Sequence, residues 1–432
     1  MRTTGVGERQ RRSDLSDSFN PERLDAQPCL KRQNTQKGKE RASRRRTSDP
    51  LFRMKRHGHL FEKMVDDDLL CLAVKRACKP NGRTSPSKQR AIAQAKADIK
   101  GYAAKVKQLL LDGFQTSSYT YYPLFDPKLR FIYSLPFYPD RIIHHVLLCV
   151  LEPIWDGLMM PTSYACRKGR GQHQAGQLCA AFTRKFKYVA QFDVSQFYIS
   201  INHKILKTIL RKKIKDEKVL GILDEIIDSI STRDKNLEML YKMRGQANCC
   251  SDVEREIKKL ETSKAKDNGA RAGLPIGSYT SQWFGNLYMN ELDNFLKQNL
   301  RCKAVIRYCD DFLVFSNDKA FLQKVKSQVK AFMWERLHLL LSKAEVFPTA
   351  QGVDFCGYRY FPEGYVLLRK RTAKKQKTLL QVTLKRYRQG TLSPEKARAR
   401  IASLDGWMRW AKCHHWKKHI GFYDIRKEIC GA

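Results

Sequence analysis

The sequence has no paired cysteine motif, no long apolar run and few acidic residues. Its 13 cysteines are scattered and no two form a C-x-x-C pair, which argues against zinc ribbons and zinc fingers and fits reduced thiols in the cytoplasm. The longest apolar stretch, residues 141–155, contains two histidines and a glutamate and is too short to cross a bilayer. No basic segment followed by an apolar core opens the chain, so neither secretion nor a membrane partner is expected.

Positive charge is what the sequence has in excess. Lys and Arg number 82 against 43 Asp and Glu, and the formal net charge of the 432 residues is +39. A polyanion is the expected partner, because each neutralised phosphate releases counterions and tightens binding. The length allows two or three domains of roughly 100–200 residues each. We therefore expect a nucleic-acid-binding protein with substantial hydrophobic cores.

The first 53 residues differ in composition from the rest. They are rich in Arg, Ser, Gln and Asp, include the run RASRRRTSDP, and show almost no apolar periodicity. This composition predicts a basic disordered leader whose arginines contact a nucleic-acid backbone. A second interpretation is that Met54 is the true start, because periodic apolar residues begin at MKRHGHLFEKMV.

The remaining pattern alternates between helical and strand segments. Helices are predicted over 57–113, then short strands in the aromatic stretch YTYYPLFDPKLRFIYSLPFYPDR, then a buried helix. A strand over 187–202 precedes a long helical region whose charged segment 251–268 is expected to face solvent. A loop leading into a helix at 273–298, a strand hairpin, a helix and further strands follow, and the chain is helical again from Arg369. This order predicts an α+β fold with helices on one face of an antiparallel sheet.

Three aspartates stand in apolar strand segments. Asp310 and Asp311 lie between two apolar runs in RYCDDFLVFSN, where a simple hairpin turn is the alternative explanation. Asp193 lies in QFDVSQFYISI, where the alternative is a surface-facing strand residue. An ionised carboxylate in an apolar strand is costly unless it is paired or bound to a metal. Brought together on neighbouring strands, these side chains would suit two Mg²⁺ ions and a nucleoside triphosphate.

Four segments of the sequence resemble, in order, the palm motifs of reverse transcriptases. They are FDVSQFY around Asp193, GLPIGSYTSQ at 273–282, the Y-x-D-D motif at 308–311 and FCGYRYF at 355–361. The resemblance covers roughly Met54 to the C-terminus and implies an RNA-directed DNA polymerase that uses a template RNA, a DNA primer and deoxynucleoside triphosphates.

The resemblance also implies a right-hand polymerase fold. Its expected parts are fingers with N-terminal helices over 54–185, a palm over 186–368 with a helical insertion at about 205–270, and a short helical thumb over 369–432.

One loop resembles a particular branch of the family. Where most relatives of group II intron enzymes carry Q-G-x-x-x-S-P, this chain has Ile276-Gly277-Ser278-Tyr279-Thr280-Ser281-Gln282. With SYACRKGRGQHQA and LRFIYSLPFYPDR, this loop resembles the reverse transcriptases of diversity-generating retroelements. That branch implies a bacterial, archaeal or phage-encoded enzyme, a structured template RNA and a small basic accessory protein. The alternatives are a phage-defence or retron-like reverse transcriptase, and an inactive palm that only binds RNA.

The resemblance implies roles for individual residues. Asp193, Asp310 and Asp311 would be catalytic and would bind the metal with the main-chain carbonyl of Val194. The expected nucleotide contacts are Arg130, Lys128, Tyr198, Ile276, Gly277, Gln282 and Lys343. The expected template or primer phosphate contacts are Arg141, Arg167 and Arg170, for each of which a solvated surface position is equally compatible.

Three of these roles have a specific chemical basis. Arg130 would grip the triphosphate through its fork of fixed donors. Tyr198 would exclude a 2′-hydroxyl, although strict alternation places it on the opposite face from Asp193 unless the strand bends. Lys343 would protonate the departing pyrophosphate, with an exposed lysine as the alternative.

Ile276 is the main departure from the family pattern. Many reverse transcriptases carry a glutamine there, whose hydrogen bond checks the geometry of the new base pair. An apolar residue removes that check and discriminates less against wrong substrates. The resemblance to the retroelement branch implies misincorporation opposite template adenines, and Ile276 and Arg130 are the positions we expect to be responsible.

Overall fold

The computed structural model describes residues 56–79, 85–125, 129–244 and 251–431, which belong to one compact unit, Met54–Ala432. The expected leader over 1–53 and the side chain of Lys128 lie outside the described residues. Along these ranges, none of the helices has both the length and the apolar character that crossing a bilayer requires.

Helices and strands alternate much as the sequence pattern predicts. The strands are β1 (Thr120–Phe125), β2 (Leu129–Ser134), β3 (Tyr188–Val194), β4 (Ala304–Tyr308), β5 (Asp311–Ser316), β6 (Leu341–Pro348), β7 (Val353–Phe355), β8 (Tyr358–Tyr360) and β9 (Val366–Leu368). The helices are α1 (Phe61–Met64), α2 (Asp67–Ala77), α3 (Pro86–Ala97), α4 (Ile99–Asp112), α5 (Ile142–Leu158), α6 (Gln172–Lys185), α7 (Phe197–Ser200), α8 (His203–Arg211), α9 (Glu217–Asp228), α10 (Thr232–Arg244), α11 (Ser251–Lys266), α12 (Tyr279–Asn294), α13 (Lys319–Leu337), α14 (Lys370–Arg388), α15 (Pro394–Met408), α16 (His414–His419) and α17 (Phe422–Cys430).

A four-stranded antiparallel sheet in the order β4-β5-β3-β6 forms the centre of the described chain. Alternation along β3 sends Ala190 and Phe192 to one face, where Phe192 stacks on Phe312 at 4.7 Å between ring centroids. That face packs on helices α12 and α13. The prediction of a fold that mixes helices with a sheet is thus confirmed.

The opposite face of the sheet is covered as well. Val189 and Leu313 pack there in a second cluster with residues of α6 and of the small sheet β7-β8-β9. The expectation of helices on one face only is therefore corrected: α6 lies on the second face. The reason is that both faces of β3 and β5 carry large apolar side chains, so each face needs a cover.

The strand predicted over 187–202 ends eight residues early, at Val194. The pairing of β3 with β6 shifts between Asp193 and Val194, and Gln196 adopts left-handed backbone (φ 48°) before the helical turn α7. Alternation of apolar residues continues past this point in the sequence, because the turn buries Phe197 and Ser200 in place of strand positions. The chain therefore bends directly after Asp193.

Helices α8 to α11 follow α7 in the region expected to be a helical insertion, and the charged segment among them does not simply face solvent. Helices α10 and α11 pack against each other, and the side chains of Val253, Ile257 and Leu260 on α11 are buried. These side chains form a cluster with Phe131 and Tyr133 of β2. The charged face of α11 points outward as expected, while its apolar face supports the β1-β2 hairpin.

Candidate active site

The three aspartates meet at one end of the central sheet. Asp193, on β3, lies directly opposite Asp311, the first residue of β5. Tyr308 at the end of β4 pairs with Asp311, so Cys309 and Asp310 form the tip of the hairpin between the strands. Opposed residues of an antiparallel pair have Cβ atoms roughly 4.5–5.5 Å apart. The fold therefore concentrates carboxylates at one edge, as the sequence predicts.

This concentration perturbs the acids. Burial, together with the charges of Asp193 and Asp310, raises the pKa of Asp311 to about 7. Burial also raises the pKa of Asp310, with a further contribution from Asp193, while Arg130 and Arg307 oppose the rise. A cation bound at this edge would stabilise the ionised carboxylates and so lower these pKa values again.

The donor set fits a hard divalent cation that also contacts a substrate. Among the described residues, no group of three or more His, Cys, Asp or Glu side chains is arranged to hold a metal ion by itself. However, the buried Oδ1 of Asp311 has no hydrogen-bond partner, and Asp193 faces it across the strands. Mg²⁺ is often held by one or two carboxylates with the remaining ligands from water and substrate phosphates. The aspartate edge, the end of the sheet that carries Asp193, Asp310 and Asp311, therefore fits such an ion, with water or a bound nucleotide as its remaining ligands.

The bulge between β3 and β6 aims a hydroxyl at the site. Because Asp193 pairs with Lys343 and Val194 pairs with Leu341, Ser342 is the extra residue. Its hydroxyl donates to the Asp193 carboxylate and lies 3.2 Å from the Asp193 carbonyl oxygen. Ser342 thereby orients the first aspartate.

Lys343 lies beside the aspartates, but its ammonium is engaged within the protein. It is opposite Asp193 in the register and donates to Oε1 of Gln191 at 3.0 Å, with Glu345 at 3.3 Å. A hydrogen bond from Gln191 and the charge of Lys343 both lower the pKa of Asp311, against the larger effect of burial. To act on a leaving group, the Lys343 ammonium must break its hydrogen bond to Gln191 and form one to the substrate.

The bend after Val194 brings Tyr198 toward the hairpin tip. Tyr198 is half-buried, and burial together with Cys309, Cys166 and Asp310 raises its pKa. Its carbonyl accepts from Leu274 N at 2.8 Å, which fixes α7 to the following loop. The strand ends before Tyr198, so strict alternation no longer places Tyr198 on the opposite face from Asp193, and its role toward the sugar remains a prediction.

The loop before α12 joins the aspartate edge to the β1-β2 hairpin. The carbonyl of Ile276 accepts from Tyr133 N at 2.9 Å, and Gly277 has φ +114°. A Cβ at Gly277 would lie 2.5 Å from the Tyr133 carbonyl oxygen, so this position requires glycine. Ile276 is half-buried, and Gln282, in the first turns of α12, is exposed.

Arg130 is exposed on β2 and close enough to Asp310 to lower the pKa of that carboxyl.

The three arginines expected to hold phosphates differ from one another. Arg141 is half-buried at the start of α5 and donates to the Lys79 carbonyl at 2.9 Å. Arg170 is half-buried, donates to the Pro161 carbonyl and lies 5.5 Å over the Tyr164 ring. Both remain candidates for phosphate contacts.

Arg167 has a structural position instead. It is buried and donates to the Asp156 carboxylate at 2.6 Å and to the carbonyls of Met160 and Ser163 at 2.9 and 3.1 Å. A guanidinium with these partners turns inward, so the expectation of a phosphate contact at Arg167 is corrected. The pattern SYACRKGRG does not distinguish an inward from an outward arginine.

Three residues around the site were missed from sequence: Ser342, Gln191 and Arg307. Only Arg307 carried a usable signal, since a charge inside the apolar strand AVIRY requires a buried partner. Ser342 becomes visible only through the bulge, and Gln191 only through the register of three strands.

Comparison with known proteins identifies the family of this site. The family model described as Reverse transcriptase (RNA-dependent DNA polymerase) matches residues 123–360, more than half of the chain. The chain is similar to protein YkfC of Escherichia coli (strain K12), 23% identical over 66% of this chain and 72% of that protein. It is also similar to nuclear intron maturase 1, mitochondrial, of Arabidopsis thaliana, 27% identical over 38% of this chain and 26% of that protein.

A third relative is the uncharacterized 91 kDa protein in cob intron of Schizosaccharomyces pombe, 26% identical over 38% of this chain and 16% of that protein. The matches to the Arabidopsis and fission-yeast proteins thus span about a quarter or less of those proteins' length.

Proposed function

The chain belongs to the reverse transcriptase family, whose members are nucleotidyltransferases, and from that premise we propose that it copies a template RNA into DNA at the aspartate edge. The observation that carries the proposal is the register of Asp193 against Asp311, with Asp310 at the adjoining tip. A purely RNA-binding scaffold would have no use for three carboxylates gathered at one point, where burial and neighbouring negative charge raise the pKa values of Asp310 and Asp311.

The residues of this chain would divide the work as follows. Asp193, Asp310 and Asp311, with the Val194 carbonyl, would hold two Mg²⁺ ions. Such ions activate an attacking hydroxyl and neutralise a leaving pyrophosphate. Arg130 would orient the triphosphate, and Tyr198 would exclude ribonucleotides by occupying the space of the 2′-hydroxyl.

Lys343 would supply the proton that the departing pyrophosphate takes up. Gly277 and Gln282 would complete the nucleotide site, and Lys128 is proposed as an assistant to Arg130. Because Tyr133 N donates to the Ile276 carbonyl and Gly277 lies close to the Tyr133 carbonyl, movements of the β1-β2 hairpin would reach the proposed nucleotide site.

The C-terminal helices are proposed as the thumb, the residues around the β1-β2 hairpin as the fingers, and the central sheet as the palm. Helix α14 carries eight Lys or Arg residues in its 19 residues, all of them exposed. Helices α14 to α17 share a hydrophobic cluster of their own, centred on Leu380, Ile401 and Phe422. A basic helix on a separate small core is suited to gripping a duplex through backbone phosphates.

Primer extension by the purified chain, on an RNA template with Mg²⁺, tests this function. Asp310→Asn should abolish extension, because the amide cannot bind a cation as a carboxylate does. The matched control is Asp424→Asn, an exposed aspartate in the first turn of α17, which should extend normally. Retained extension by Asp310→Asn would refute the assignment of the site, and an RNA-binding scaffold would keep its biological effect in that variant.

We further propose that the enzyme is error-prone at template adenines and serves mutagenic retrohoming in a diversity-generating retroelement, with a small basic accessory protein. Support comes from Ile276, which is apolar at a position where many reverse transcriptases carry a hydrogen-bonding side chain. The next residue, Gly277, lies so close to the Tyr133 carbonyl that only glycine fits there. The alternative is a phage-defence or retron-like enzyme, which would make faithful cDNA.

Sequencing the cDNA separates these subtypes. Ile276→Gln should reduce misincorporation at adenines, whereas the matched control Ile276→Leu should keep the wild-type error spectrum, because it remains apolar. Identical spectra for all three proteins would remove Ile276 from the explanation. A faithful wild type would favour the defence or retron class.

A further inference from the structure

A buried arginine lies directly beneath the aspartate hairpin. Arg307, on β4, is 0% exposed, and so is the side chain of Asp293 on α12 with which it pairs. We propose that Arg307 is a positioning residue that holds the Tyr308–Asp311 turn in the shape the carboxylates need, acting through the Cys309 carbonyl. This inference rests on the proposed function, because the turn it shapes is the proposed reaction centre.

The guanidinium uses its two sides for different tasks. Nε contacts both carboxylate oxygens of Asp293 at 2.9 Å, and Nη2 donates to Oδ2 at 2.6 Å. Nη1 donates to Asn286 Oδ1 at 3.1 Å and to the Cys309 carbonyl oxygen at 3.0 Å. Asp293 therefore fixes the plane of the fork, and the remaining nitrogen reaches the turn.

The turn needs such a contact because of its backbone. Cys309 has φ 55°, a left-handed conformation that residues with a Cβ adopt rarely. It sits between Tyr308 and Asp310, so any relaxation of its backbone rotates Asp310 relative to Asp311. The hydrogen bond from Arg307 stabilises the carbonyl orientation that goes with the left-handed form.

The support continues outward from Arg307. Its own N–H donates to the Thr162 carbonyl at 2.9 Å, and its carbonyl accepts from Tyr164 N at 3.0 Å. Asn286 donates to the Ala165 carbonyl at 2.9 Å. Helix α12, strand β4 and the segment 162–165 are thus joined around Arg307, through its side chain, its main chain and its partner Asn286, which supports the hairpin tip from below.

Arg307→Lys tests the proposal, because lysine keeps the charge but cannot reach Asp293 and the Cys309 carbonyl with one planar fork. The matched control is Arg233→Lys, which alters another buried arginine–aspartate pair, Arg233 with Asp267, in the helical insertion. Both variants should unfold at a lower temperature. Arg307→Lys alone should lower kcat, by roughly 10- to 100-fold, since misplacement of about 1 Å costs that much.

Two further readouts separate positioning from stability. Half-saturating Mg²⁺ should rise several-fold in Arg307→Lys and stay unchanged in Arg233→Lys, while the KM for the primer–template should match wild type in both. Binding of Mn²⁺ to the protein alone, followed by electron paramagnetic resonance, should weaken only in Arg307→Lys. That measurement needs no polymerisation, so it tests the inference even if wild type makes no cDNA and the proposed function fails.

The overturning result is an Arg307→Lys protein with wild-type kcat, Mg²⁺ dependence and Mn²⁺ binding, since Arg307 would then be a fold-stabilising residue only. If Arg307→Lys does not fold, Asn286→Ala replaces it. That variant keeps the Arg307–Asp293 pair and removes the amide that aligns Nη1. It should show a smaller loss of kcat and a smaller rise in half-saturating Mg²⁺, and wild-type values for both would likewise overturn the proposal.

Discussion

Replacing Asp311 by asparagine should stabilise the metal-free protein while abolishing its activity. The folded state raises the pKa of Asp311 from an ordinary value of about 3.9 to about 7. An acid whose folded pKa is raised opposes folding whenever it is ionised in the unfolded chain. Asparagine carries no charge and has nearly the same shape, so it removes the opposition.

The magnitude follows from the shift. About three pH units correspond to at most about 4 kcal/mol at pH 8. Because the residue as a whole is half-buried, although its Oδ1 is fully buried, we expect solvent screening to reduce this to about 1–2 kcal/mol. For a folded unit of this size, that is a rise in Tm of roughly 1–3 °C.

The sign with pH is equally definite. Well below about pH 4 the carboxyl is protonated in both states, so Asp311→Asn should make no difference there. The penalty grows as pH rises and reaches its full size above about pH 7, where the folded carboxyl must also ionise. The stabilisation by Asp311→Asn should therefore be about three times larger at pH 8 than at pH 5.

Differential scanning calorimetry without divalent cations at pH 5 and pH 8 measures this. Asp424→Asn serves as the control, because that aspartate is exposed and its replacement should leave Tm unchanged at both values. Added Mg²⁺ should narrow the gap, since it binds the wild-type carboxylates and stabilises the folded state. A lower Tm for Asp311→Asn at pH 8, or a gap independent of pH, would refute the reasoning.

Three further predictions concern the surroundings of the site. Ser342→Ala should lower kcat several-fold with Tm within about 1 °C of wild type, because it removes the hydroxyl that orients Asp193, and Ser342→Thr should restore much of the rate in the same primer-extension assay. Gly277→Ala should raise the KM for deoxynucleotides, because its Cβ would displace the loop from the Tyr133 carbonyl; an unchanged KM would contradict the role of the loop. Arg167→Ala should cost about 1–3 kcal/mol of unfolding free energy in urea by leaving Asp156 without its partner, and a loss of RNA affinity with no loss of stability would restore Arg167 to the phosphate contacts.

The aspartate edge could be predicted because each of its carboxylates lies in a short apolar segment that is recognisable in the local sequence. Asp193 in an apolar strand and the aspartate pair in a hairpin are each costly alone, which predicts that they lie together. The register of β3 with β5 places Asp193 opposite Asp311, as expected. The helices and the β1-β2 strands were likewise visible from periodicity.

What the sequence could not predict depends on contacts between distant segments. The end of β3 at Val194 and the bulge at Ser342 arise from pairing with β6, about 150 residues away, while local alternation continues past both. The inward turn of Arg167 depends on Asp156, and the cover on the second face of the sheet depends on where α6 returns. Local patterns carry no record of such pairings.

The packing of the insertion against the β1-β2 hairpin limits how this protein could be miniaturised. Deleting α10 and α11 would uncover Phe131 and Tyr133 and leave a two-stranded ribbon, which is marginally stable in water on its own. The hairpin also carries Arg130, the proposed triphosphate contact, so a shortened chain would lose that proposed contact while it kept its aspartates. A shortened version of this protein should therefore keep α10 and α11, because they cover the apolar face of the β1-β2 hairpin, and should be shortened elsewhere.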